Sequence, residues 1–158
     1  MKAVLIAVGN VKSTWAAQGE KTYAQRIGHY IPYETIIVPD VKTSKATTPQ
    51  MQKEAEGAVI LSKLQPTDVV VLLDERGQQP TSRQLAEMLQ GHMNSGVKRL
   101  VFVIGGPYGF SDAVYGRAAG RLLSLSKLTF PHELARLIFT EQLYRAMTIL
   151  RGEPYHHD

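Results

Sequence analysis

"RLVFVIGG", residues 99–106, is the stretch on which the fold turns. Residues 100–104 are all apolar and include two β-branched valines and an isoleucine. A strand with one wet face alternates apolar and polar residues; an unbroken apolar run of this length suits a strand covered on both faces of a parallel sheet. "DVVVLLD" (68–74) repeats the pattern, and "AVLIAVG" (3–9) and "YETIIVP" (33–39) add two further strand signals. Helical patterns lie between them. Trp15 to Tyr30 reads as an amphipathic helix. Thr48-Pro49 has an N-cap residue followed by proline at the first helical position, and its helix is expected to bury Ala55, Ala58, Val59 and Leu61. Thr81-Ser82-Arg83-Gln84 has capping-box spacing, with a helix running to about Asn94 and ended by Gly96. Strands alternating with helices predict an α/β domain, a mostly parallel sheet flanked by helices, in a single unit over residues 1–158.

Composition narrows the function classes. The 158 residues include no cysteine, which excludes disulfides, zinc–thiolate sites, iron–sulfur clusters and thiol nucleophiles and suits a reducing cytosol. The opening "MKAVLIAVGN" is too short an apolar run for a leader or a membrane span and reads as a first buried strand. The net charge of +4 hints at an anionic partner such as nucleic acid. The charge is spread evenly: eight Lys/Arg against five Asp/Glu over 1–64, four against four over 65–110, and six against five over 111–158. A basic face therefore has to be assembled by folding or by oligomerisation.

The last helical pattern, from Pro131 to about Arg151, is apolar around most of its girth. Its polar residues form only a narrow stripe through Glu133, Arg136, Thr140, Glu141, Arg145 and Thr148. Such a helix has to be covered on most sides. It reads either as a dimer-forming helix or as a central core helix of a monomer.

Ligands of open α/β sheets bind outside the carboxyl ends of the strands. "LLDERGQQPT" and "VIGGPYGFS" follow two of the buried strands, and the glycines of the second permit a close backbone approach or a positive φ. Such a turn is either structural or a binding loop. Neither GxGxxG nor GKS/GKT is present, so dinucleotide and phosphate-loop fingerprints are absent. No serine elbow and no HExxH helix occurs, and no third ligand is spaced to join His156-His157 in a metal site. "LSLSKLTFPH" (123–132) alternates like a strand, but the alternation slips at Lys127. It reads as a short final strand over 121–124 running into an extended loop over 125–130.

"FVIGGPYGF", "LSLSKLTFPHELAR", "EQLYRA" and "RGEPYHH" occur in this order, with "AVG" near the start. Together they resemble the RlmH family of ribosomal RNA large subunit methyltransferases in the SPOUT superfamily, over essentially the whole chain. The resemblance implies a SPOUT-type fold with a C-terminal trefoil knot and a cytoplasmic homodimer. It implies transfer of a methyl group from S-adenosylmethionine to N3 of a pseudouridine in helix 69 of 23S rRNA, on the assembled ribosome. It places the cofactor against Leu73, Gly105, Leu125, Ser126, Lys127, Leu128, Thr129 and Phe130. No metal and no membrane are involved. Candidate catalytic residues are His156 and Tyr155 from the tail and Arg145 from "LYRA", with a partner's tail completing the site. His156 is a candidate base, and Arg145 either holds an anion or simply pairs with Glu141 four residues earlier. His132 is expected to be structural, and His157 stands where many relatives carry Lys or Arg. The rival readings are a non-catalytic RNA-binding or ribosome-associated factor on the same fold, and a nucleotide- or flavin-binding protein without its fingerprint.

Overall fold

A computed structural model of the protein describes residues 1–157. The elements run β1 (Lys2–Val8), α1 (Thr14–Ile27), β2 (Tyr33–Val38), α2 (Pro49–Ser62), β3 (Val69–Gln78), α3 (Ser82–Asn94), β4 (Arg99–Ile104), α4 (Asp112–Ala118), β5 (Leu122–Leu123) and α5 (His132–Leu150). The strands form one parallel sheet in the order β2-β1-β4-β3-β5. β4 lies at its centre, as the unbroken apolar run of "RLVFVI" requires. Leu100, Phe102 and Ile104 face one core, formed with α1, α3 and α5; Val101 and Val103 face a second, formed with α2 and α4. Burying one such side chain is worth roughly 1.5–3 kcal/mol, so both layers are held by the same short strand. Phe102 packs on Phe139 of α5 with ring centroids 4.8 Å apart.

The caps are where their sequences put them. The Thr48 side chain accepts from Met51 N at 3.1 Å, with Pro49 opening α2. Thr81 and Gln84 form a complete capping box, and Gly96 follows α3 with φ +74°. Three expectations need correction. The first helix ends at Ile27, so His29 and Tyr30 lie in the turn beyond it.

α2 is rotated from its expected phase. It buries Glu56, Gly57 and Ile60 and leaves Ala55 and Ala58 exposed, with Val59 and Leu61 half-buried. The reason is Gly57. A side chain there would run into Ser111 Oγ, so only glycine lets α2 close onto the start of α4.

α5 inverts the expected pattern most clearly. Arg136, Thr140 and Thr148 of its polar stripe are buried. Arg136 Nη2 donates to Glu20 Oε1 at 2.9 Å and Nη1 to the Gly9 carbonyl at 2.9 Å. The two threonine hydroxyls bond back to carbonyls of their own helix, Thr140 to Arg136 and Thr148 to Arg145. These polar groups carry their own partners into the core, while Leu134, Ile138, Tyr144, Ile149 and Leu150 stay only half-buried.

Candidate active site

β3 does not stop at Leu73. Both Leu73 and Gln78 pair with Leu123 of β5, and residues 74–77 bulge out between them. The bulge is possible because of Gly77, whose missing side chain would fall 2.5 Å from the Leu123 backbone nitrogen. All strands are parallel, so this bulge, the glycine turn after β4 and the loop after β5 gather at one end of the sheet. Between them lies a cleft of about 520 Å³ lined by Leu73, Ile104, residues 123–130 and Ala135. It opens into a second of about 730 Å³, walled by the turn over 105–110, Lys53, Asp112 and Tyr115. Leu73, Ile104, Phe130 and the residues 74–76 line both. Seven of the eight residues expected to hold a cofactor therefore wall one cleft, and the eighth, Gly105, walls its neighbour.

The loop over 124–130 has unusual backbone bonding. Ser124 N donates to the Gln78 carbonyl at 2.8 Å, which anchors its start. Ser124 Oγ donates to Ser126 O, and Ser126 Oγ accepts from Leu128 N. Among the described residues the backbones of Leu125, Lys127, Thr129 and Phe130 make no hydrogen bond. Backbone amides and carbonyls are obligatory hydrogen-bonding groups. Here they border a cleft with leucine walls, the donor and acceptor set that reads the edge of a heterocycle.

The glycine turn is held equally tightly. Gly106 and Gly109 form an antiparallel bridge, and Gly109 has φ +81°. A side chain on Gly105 would meet the Phe110 ring at 2.8 Å, and one on Gly106 would meet the buried Glu56 carboxylate at 2.5 Å. Both positions need glycine for close approach, and the packed turn that results also lines the neighbouring cleft. Glu56 carried no sequence signal beyond its place on a helix.

The bulge carries a cluster that sequence reasoning missed. Asp74 accepts from Arg76 Nε at 3.1 Å, from Arg76 Nη2 at 3.3 Å and from the Tyr115 hydroxyl. The Arg76 guanidinium also lies over the Tyr115 ring, 4.8 Å from its centroid. Burial raises the Asp74 pKa, but the bonds from Arg76 and Tyr115 outweigh it, so the carboxyl is held below its ordinary value. Burial and Asp74 together raise the Tyr115 pKa. "DER" after a buried strand was the one available signal. Nothing local announces Tyr115, 41 positions from Asp74.

The tail residues form a separate group. Arg145 donates to Glu141 Oε1 from Nη2 at 2.6 Å and from Nε at 3.0 Å, so the i,i+4 pair forms. The Tyr155 hydroxyl donates to the same oxygen at 3.0 Å, and the Arg145 guanidinium sits 4.7 Å from the Tyr155 ring centroid. His156 Nδ1 lies 3.4 Å from Arg145 Nη1. Arginine only donates, so in this contact Nδ1 is the acceptor. Burial, with the bonds to Tyr23 and Glu141, pushes the Tyr155 pKa well above its ordinary value; Tyr155 is a proton donor at neutral pH. Arg145, Tyr155 and His156 thus come together, but none lines either cleft of its own chain. His132 is half-buried in the first turn of α5, and burial together with Arg136 pushes its pKa down. Among the described residues no three metal-ligating side chains converge, and no helix is long and apolar enough to cross a membrane.

Comparison with known proteins agrees with this geometry. The family model described as "Predicted SPOUT methyltransferase" matches residues 1–156. A protein of Parabacteroides distasonis named Ribosomal RNA large subunit methyltransferase H is 51% identical over 158 residues, the whole of both chains. A protein of the same name from Christiangramia forsetii is 51% identical over 157 residues, 99% of each chain. Among solved structures, a probable rRNA-methyltransferase from Porphyromonas gingivalis superposes with a TM-score of 0.52 at 12% identity. That match covers 95% of this chain and 70% of the other and speaks for the fold alone. With the matched model spanning all but the last two residues, the chain belongs to the SPOUT methyltransferase family.

Proposed function

We propose that the protein is an S-adenosylmethionine-dependent rRNA methyltransferase acting on N3 of a pseudouridine in helix 69 of 23S rRNA, on the assembled ribosome in the cytoplasm. The observation that carries this reading is the loop over 124–130, in which the unbonded backbones of Leu125, Lys127, Thr129 and Phe130 border a leucine-walled cleft. The residues fit the cofactor. Leu73, Leu125 and Leu128 supply an apolar slot, and the free backbone groups of Leu125, Lys127, Thr129 and Phe130 supply the edge contacts of an adenine. Ser126 borders the same cleft and Gly105 the one it opens into. The full-length relatives with this name support the rRNA substrate.

When bound, the cofactor supplies an already activated sulfonium methyl. The protein then has to position the attacking nitrogen and deal with its proton. In this reading Arg145 turns from Glu141 to hold the pyrimidine anion, Tyr155 donates to the substrate, and His156 takes the N3 proton. The three lie outside the cleft of their own chain, so the reading requires a homodimer in which one chain's tail completes the other's site. The half-buried apolar residues of α5, and Trp15 of the adjoining α1 at 58% exposure, are the surface that supports it. A C-terminal trefoil knot belongs to the same reading. It is supported by the family and by α5 returning from the β5 edge to pack between α1 and α3.

The test incubates the protein with labelled S-adenosylmethionine and ribosomes lacking this modification, with free rRNA and tRNA in parallel. Label is expected on ribosomes. Label on tRNA alone refutes the substrate, and absence of both label and cofactor binding favours a non-catalytic RNA-binding factor. Light scattering should give twice the mass of one chain. His156→Ala should lower kcat by roughly 10²-fold, the usual scale of a general base, with cofactor affinity unchanged. If affinity falls instead, the tail belongs to the cofactor pocket.

A further inference from the structure

A third cavity, of about 780 Å³, lies along β5 between that strand and α3. The cofactor cleft lies on the other side of the bulge, and the two spaces share Arg76 and Leu123 as wall residues. Arg76 also borders the cleft beside the glycine turn, so a single side chain stands where all three spaces meet. Asp74 and Tyr115 hold it in place, yet its side chain remains 64% exposed. It is a preoriented cation at a junction.

The cavity wall is chemically one-sided. Arg76, Arg121, His92 and three glutamines line it, and no carboxylate does, in a chain with 14 Asp/Glu. Burial and the neighbouring Arg121 push the His92 pKa down, so this ring is a neutral stacking and hydrogen-bonding surface rather than a third cation. Two of the glutamines are committed. Gln84 accepts from Thr81 N in the capping box, and Gln79 donates to Ser124 Oγ. Among the described residues the Gln78 amide makes no hydrogen bond and so keeps both its donor and its acceptor for a ligand.

An exposed Arg76 anchored from behind by Asp74, with Arg121 on a wall that carries no carboxylate of its own, beside a flat ring and an open amide, matches a single-stranded nucleic acid, whose phosphates meet cations and whose bases meet flat faces and amides. We propose that this groove holds the RNA strand next to the target nucleotide, with Arg76 and Arg121 meeting phosphates and Gln78 and His92 meeting a base. The proposal deepens the rRNA methyltransferase reading and rests on it. It also accounts for the even charge along the chain: the basic surface is made by folding, from residues 76 and 121, which lie far apart in sequence.

The test uses Arg121→Gln and Arg121→Glu in the full chain, with Lys45→Gln, in the distant polar loop, as control. In methyl transfer to ribosomes lacking the modification, Arg121→Gln should raise KM about fivefold and Arg121→Glu more, with cofactor affinity unchanged. The salt dependence of binding should fall by about 0.7 in log–log slope, the value of one lost single-strand phosphate contact. Lys45→Gln should leave KM as it was. An unchanged KM for Arg121→Glu, or an equal rise for Lys45→Gln, overturns the proposal. Should the wild-type protein transfer no methyl group at all, the functional reading itself falls. The groove is then judged by fluorescence anisotropy with a labelled ten-nucleotide single-stranded RNA, where equal affinity of wild type and Arg121→Glu overturns it. A changed solution mass for Arg121→Glu marks the groove as a contact between chains and overturns it as well. Thermal melting of each variant identifies any loss of fold, since Arg121 also donates to the Ala118 carbonyl at 3.0 Å. If Arg121→Gln melts early, Gln78→Ala, which breaks no bond of the described chain, must show the KM rise for the proposal to stand.

Discussion

Gly77→Ala is expected to damage the site and the fold together. The new methyl carbon would lie 2.5 Å from Leu123 N, 2.6 Å from Leu122 C and 2.7 Å from Leu123 C. All three are backbone atoms of a two-residue strand, so no side chain can rotate away. Either β5 lifts off β3 or the bulge over 74–77 collapses. Overpacking of this kind costs about 1–3 kcal/mol, and each kcal/mol lowers the Tm of a chain of this size by about 2–4 °C. Calorimetry should show the drop. Affinity for S-adenosylmethionine should fall at least tenfold, because the bulge and the loop after β5 are two walls of the same cleft. Gly91→Ala is the control: nothing lies within 4 Å of a side chain there. In mid-helix it should stabilise by about 0.5–1 kcal/mol. Unchanged melting and unchanged affinity for Gly77→Ala would sink the account of the bulge.

Arg136→Ala is expected to be the most destabilising side-chain truncation. Arg136 is 3% exposed and Glu20 8%. The ion pair joins α5 to α1, and the second bond of Arg136 reaches the Gly9 carbonyl, just past β1. Removing the arginine leaves a buried carboxylate and a buried carbonyl without partners. Breaking such a pair costs about 3–5 kcal/mol, or roughly 6–20 °C in Tm. Replacing both charges should be milder. Glu20→Leu with Arg136→Met should recover at least half of the loss, because well-packed apolar substitutes can match a buried pair. Denaturant unfolding measures both. A single variant within 1 kcal/mol of the parent would show that water reaches this pair freely.

The same residue shows how far the sequence could be read. Arg136 looked like part of a solvated stripe because the pattern of α5 records polarity and not partners. Its partner lies 116 positions away on α1, and only the packed fold brings the two together. The phase of α2 failed for a related reason. Ala55 and Ala58 look apolar enough to bury, but Gly57 decided which face could approach α4. The lining of the proposed cofactor cleft was more legible. Gly105 and residues 125–130 follow strand ends, which local runs locate, while Leu73 and the choice of residues came from the family resemblance. The tail cluster was half legible: the Glu141–Arg145 pair follows from spacing, whereas its bonds to Tyr155 and His156 do not.

By itself, the sequence determined the parallel sheet, the burial of "RLVFVIGG" on both faces, the caps of α2 and α3 and the end of the sheet where the loops gather. These depend on unbroken apolar runs and on residues a few positions apart, and that information is local. Only the tertiary structure decided that β3 loops out over Gly77, that Asp74 and Tyr115 hold Arg76, that Arg136 is buried on Glu20, and that the tail stands apart from the cleft of its own chain. Each of these is a choice of partner across a long stretch of chain. Such a choice is made by which groups packing leaves within hydrogen-bonding distance.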